Sequence, residues 1–180
     1  MVSRSIHRVV TNFPSQGFAG VGSAEKTKQK RLFVKEKLKT MRILVVEDDS
    51  LRVEKIKSWV PSDIIISNVT DAGVAMAQIK ADRGWIYAGI MLDHDLEKQL
   101  KVASSARLTG SELINIIIHY IDKNVPVLVH SMNPGMAPVM VRRLESAGFD
   151  VTRIPMTELT KEKFNDWVEF VRECWEDSLE

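Results

Sequence analysis

The chain has 180 residues, 44% hydrophobic and 27% charged, the make-up of a soluble globular protein with room for one domain and a sizeable core. Its single cysteine, Cys174, excludes an internal disulfide and fits a reducing compartment, so a cytoplasmic protein is expected. The net charge of +1 hides an asymmetry: residues 1–40 hold nine Lys or Arg and two Glu, while the rest hold 16 basic and 22 acidic residues.

Residues 1–40 show no sustained periodicity until their end, and no apolar segment of the length a secretory signal needs. They read as a basic, flexible leader whose end, KTKQKRLFVKEKLK, can touch nucleic acid. Met41 opens the first strand directly, so a natural start at Met41 is also an expectation. Residues 41–180 then form one domain. Val125–Val141 carries no charge, but its prolines, glycine, histidine and asparagine rule out a membrane span.

In chain order, MRILVVED is a short, β-branched apolar run ending in acid, as in a strand buried on both faces. Ser50 is placed to cap a helix running to about Trp59 and stopped by Pro61. DIIISNV is a second strand. Thr70 or Asp71 caps a helix carrying Val74, Ala75 and Ile79. YAGIMLD is a third strand, followed by HDLEKQLKVASSARLTG, a polar loop too long for an ordinary strand-to-helix connection. SELINIIIHYIDK is a helix in which His119 reads as structural, on an apolar face. VPVLVHS is a fourth strand. PGMAPVMVRRLESAG has Pro134 near its start and Gly148 just past its end, the usual helix asymmetry. FDVTRIP is a weaker fifth strand. The last helix carries Phe164, Trp167, Val168, Val171 and Trp175 on one stripe, a core-packing pattern.

Five strands alternating with five helices predict a doubly wound five-stranded parallel sheet with helices on both faces. Ligands of such sheets sit beyond the carboxyl ends of the strands. Three apolar runs end there in polar residues: Glu47, Asp48 and Asp49 after the first, Asp93, His94 and Asp95 after the third, His130, Ser131 and Asn133 after the fourth. Each taken alone has a plain explanation. Strands end in polar residues because loops are wet, His130 can be a hydrogen-bonded core histidine, and Asn133 before Pro134 suits a turn. Acids gathered at several ends of one sheet repel unless a cation sits among them, and oxygen ligands suit Mg²⁺. Glu47, Asp48 and Asp93 are therefore expected to hold Mg²⁺.

In order of elements, residues 41–178 resemble a response-regulator receiver, a flavodoxin-like domain. RILVVEDD is similar to the receiver's first strand and acidic pair, IMLDHDL to the phosphoacceptor strand with Asp93 as acceptor, and VLVHS to the fourth strand with Ser131 as its hydroxyl residue. Receivers close the fifth strand with a Lys-Pro pair. Here the pair is Ile154-Pro155, with Arg153 as the nearby cation. LDHDL, TG, VHSMN and LESAGFDV together resemble the cyclic-phosphate-processing receivers, a divergent group proposed to act in RNA repair.

That resemblance implies a phosphoesterase acting on cyclic phosphate at RNA ends. Asp93 would be metal ligand or transient acceptor, His94 and His130 proton-transfer groups, and Ser131 and Asn133 donors to phosphoryl oxygens. An RNA ligase is the partner implied. Two alternatives stand beside it: a stand-alone phosphoacceptor regulator served by a histidine kinase, and a degenerate receiver acting as an interaction module.

Overall fold

The structure is a computed structural model that describes residues 40–82, 86–94 and 110–178. The expected leader, apart from Thr40, lies outside the described residues. So does the loop after the third strand beyond His94, with Asp95 and Thr109.

All five expected strands form, over shorter spans than the apolar runs: β1 Met41–Val46, β2 Ile64–Val69, β3 Gly89–Leu92, β4 Val127–Val129 and β5 Val151–Arg153. They make one parallel sheet in the order β2-β1-β3-β4-β5. Among the described residues, five helices connect and follow them: α1 Ser50–Lys57, α2 Ala72–Asp82, α3 Gly110–Tyr120, α4 Met136–Ser146 and α5 Lys161–Asp177. The chain order reverses direction between β1 and β3, which makes their carboxyl ends the switch point of the fold.

Alternation along the central strands divides the core in two. Leu44, Val46, Ile90, Leu92, Val127 and Val129 face α2, α3 and α4. Ile43, Val45, Met91 and Leu128 face Ile56 of α1 and the expected stripe of α5, all five members of which are buried. Central strands covered on both faces need apolar side chains at every position, and this is why their runs are continuous.

Local signals set the helix ends. Asp49, not Ser50, caps α1: its backbone is extended, and its Oδ1 accepts from the N–H groups of Leu51 and Arg52 at 2.8 and 3.2 Å. A carboxylate at this position also favours the helix dipole. Asp71 caps α2 by accepting from Val74 N–H at 2.9 Å. Gly148 closes α4 at φ +90°, where a side chain would be strained. The apolar-face place expected for His119 is not observed. The residue is exposed and its ring stands edge-on to Tyr120, with centroids 4.7 Å apart.

β3 and α5 meet closely at Gly89. A Cβ there would lie 3.1 Å from both the Trp167 ring and Val171. Gly89→Val should therefore destabilise the domain by about 1–3 kcal/mol through overpacking. Urea denaturation checks this, and an unchanged midpoint would show that the α5 packing yields freely.

Candidate functional site

The sheet register generates the site. Val46 pairs with Leu92, Leu92 with Val129, and Val129 with Arg153. The next residues, Glu47, Asp93, His130 and Ile154, therefore form a row one step past the strands. Their N–H groups continue the ladder, donating to Val69 O, Val46 O, Leu92 O and Val129 O at 3.0–3.1 Å. Side chains in one row of a parallel sheet point to one face. Glu47, Asp93 and His130 each follow a residue of the α1/α5 core by two positions, namely Val45, Met91 and Leu128. The row thus caps that core, and its polar members are buried with it: Glu47 and His130 are 0% exposed and Asp93 2%. With Ser131 they are all the buried polar side chains among the described residues.

Two carboxylates sealed this way need partners. His130 Nε2 lies 3.1 Å from Glu47 Oε2, and Glu47 Oε1 accepts from Asp49 N–H at 3.0 Å. Asp93 Oδ1 accepts from His94 N–H at 2.6 Å. The guanidinium of Arg52 joins the two acids: its Nη1 is 3.1 Å from Asp93 Oδ2 and 3.5 Å from Glu47 Oε2. Burial alone would raise the Glu47 carboxyl. The hydrogen bonds from His130 and Asp49, and the attraction of His130 and Arg52, outweigh it and hold the group below its ordinary value.

Each of Glu47, Asp93 and His130 presents a metal-ligating atom, and the three atoms lie within 4.8 Å of one another. A cationic nitrogen of Arg52 already touches both acids, so the donor set fits a positive ion. His130 Nδ1 is buried without a hydrogen-bond partner. Asp48, also expected as a ligand, is half-buried beside Glu47; the three close ligating atoms belong to Glu47, Asp93 and His130.

The remaining expected residues surround the row. His94 is half-buried next to Asp93. Ser131 is buried, and its Oγ accepts from Asn133 N–H at 3.2 Å. Asn133 Oδ1 accepts from the N–H groups of Gly135 and Met136 at 3.1 and 2.9 Å, so it also turns the chain into α4. Arg153, the cation near the Ile154-Pro155 pair, is exposed and precedes the row by one residue. The row position on β5 belongs to Ile154, which packs against the α1/α5 core. Arg52 was not anticipated from the sequence. One signal was available: a basic residue in the first turn of a helix opposes the dipole, so its presence there calls for an acidic partner elsewhere.

Glu47→Gln should destabilise the fold near pH 7 by about 1.5–3 kcal/mol, the scale of a buried charge-assisted hydrogen bond. The sign with pH follows from a folded carboxyl held below its unfolded value of 4.5. Its contribution is complete above that value and is lost as pH falls through the lower folded one. Denaturation from pH 7 down to pH 3 should show wild type and variant converging. A constant gap across that range would contradict the assignment.

No protein-family model matches the chain, and no curated protein sequence matches it. Solved structures do. The signal receiver domain of a putative LuxO repressor protein from Vibrio parahaemolyticus superposes with a TM-score of 0.56 at 17% identity, covering 78% of this chain and 96% of that one. The response regulator domain of Thermotoga maritima CheB gives 0.52 at 17% identity, covering 76% and 97%. The N-terminal domain of a response regulator/sensory box/GGDEF protein from Carboxydothermus hydrogenoformans gives 0.54 at 18% identity, covering 77% and 99%. Sheet order, helix placement and these superpositions agree: the domain has the flavodoxin-like receiver fold.

Proposed function

We propose that residues 41–180 form a Mg²⁺-dependent site for phosphoryl groups, and that its substrate class is the cyclic phosphate at RNA ends. The supporting observation is the buried row: two carboxylates sharing a cation, with one histidine bonded to Glu47 and another following Asp93. The row sits at the switch point, where ligands of such sheets bind. When bound by Glu47 and Asp93, Mg²⁺ would offset charge on the phosphoryl oxygens.

The protein groups then divide the work. Opening a 2′,3′-cyclic phosphate takes a proton from the attacking water and returns one to the departing ribose oxygen. An imidazole can do either near neutral pH. His94 is the better placed, because it is only half-buried and adjoins Asp93. His130 is wholly buried against Glu47, which makes it a positioning residue that fixes the carboxylate. The Ser131 hydroxyl and the Asn133 side-chain amide supply further donors to the phosphoryl group. An RNA ligase acting on the opened end is the protein partner that this chemistry suits.

A second reading has its own support. The solved neighbours are receivers, and Asp93 ends β3 with an acid at the end of β1 beside it. In that case Asp93 would accept a phosphoryl group, and the partner would be a histidine kinase. No helix among the described residues is long and apolar enough to cross a membrane, so neither reading involves a span there.

Turnover of a 2′,3′-cyclic phosphate oligonucleotide with Mg²⁺, run beside labelling by acetyl phosphate, separates the readings. Turnover should appear, and His94→Gln should slow it roughly a hundredfold with little change in stability. His130→Gln should lower stability as well as rate, because it removes the buried imidazole that bonds Glu47. A stable phosphoryl group on Asp93 without turnover would establish the signalling reading instead. Neither activity would leave a protein-interaction module.

A further inference from the structure

Arg52 lies against two of the groups that could ligate a metal ion. Its Nη1 contacts Asp93 Oδ2 at 3.1 Å and Glu47 Oε2 at 3.5 Å, and these carboxylates are two of the three groups that could together ligate an ion. Mg²⁺ binds oxygen at about 2.0–2.1 Å. An ion and a guanidinium at the same pair of carboxylates would overlap in space and repel in charge. One must leave before the other binds.

Arg52 is the member of the cluster that can leave. Its side chain is 34% exposed, whereas those of Glu47 and Asp93 are 0% and 2% exposed. It hangs from the first turn of α1, where the helix dipole disfavours a cation. The carboxylates of Glu47, Asp93 and, at 3.9 Å from Nε, Asp49 hold it in place. The other charged members have no such freedom, since Glu47, Asp93 and His130 are fixed by the sheet register and by their burial.

Resting on the Mg²⁺ site proposed above, we infer that Arg52 is the built-in counter-ion of the site. It fills the cation position in the metal-free protein and swings outward when a divalent ion binds. Metal affinity is then set by an exchange of one cation for another. The same exchange explains how two buried carboxylates are tolerated before any metal arrives.

Calorimetric titration of the full chain with MgCl₂ and MnCl₂ tests this on wild type, Arg52→Gln, Arg52→Lys and, as a remote control, Arg172→Gln, which removes a surface pair with Asp63. Arg52→Gln should bind the ion roughly tenfold tighter or more, since the ion no longer displaces a charged partner. Arg52→Lys should fall between it and wild type, because lysine keeps the charge but loses the planar fork. Arg172→Gln should match wild type. Without metal, Arg52→Gln should melt below wild type and gain more in Tm on adding MgCl₂. Measurable but equal binding by wild type and Arg52→Gln would overturn the exchange and leave the metal site standing. Weaker binding by Arg52→Gln would also overturn it. No binding by either protein would overturn both. Should Arg52→Gln not fold, Arg52→Lys decides alone: affinity no tighter than that of wild type overturns the exchange.

Discussion

Glu47 and Asp93 are brought together by a sheet register that leaves them no alternative. Val46 and Leu92 are paired, so the following residues must sit side by side on the same face and be buried together. Two carboxylates with so little access to water repel strongly and lose their hydration. The fold is compatible with that pairing because His130 arrives in the same row from β4 and Arg52 from the first turn of α1. These two partners offset the burial of the acids: His130 bonds Glu47, and Arg52 contacts both carboxylates.

The fifth strand shows the other side of the same balance. The row position on β5 is taken by Ile154, an apolar residue that extends the α1/α5 core. A receiver-type lysine at that place would bring its charge from β5. Here Arg52 of α1 contacts the acids of the row instead. The cation at the row thus reaches it from a helix start, on a long and partly exposed side chain.

Much of the fold was legible in the sequence because central parallel strands are buried on both faces, so their apolar runs are unbroken and stop where the sheet stops. The acidic and histidine residues at those stops were legible for the same reason: polarity beginning abruptly after IML or VLV is hard to miss. The stripe on α5 was visible from helical spacing. Three features were not. Asp49 displaced Ser50 as cap because two adjacent residues had equal capping chemistry, and only the backbone could choose between them. The place of His130 beside Glu47 and Asp93 follows from register across three strands, which no single strand encodes. Arg52 was hidden in SLRVEKIK, a polar helix where one more basic residue carries no pattern of its own.

The divalent-cation site proposed for the row at the ends of β1, β3 and β4 is tested most directly by an amide NMR titration with Mn²⁺, whose paramagnetism broadens nearby signals, repeated with Mg²⁺ as a competitor. The amides of Glu47, Asp93 and His130 should broaden first and recover when Mg²⁺ is added, while those of the exposed acids of α5, Glu169, Glu173 and Glu176, remain sharp. Broadening centred on α5, or none at the strand ends at millimolar metal, would contradict the account.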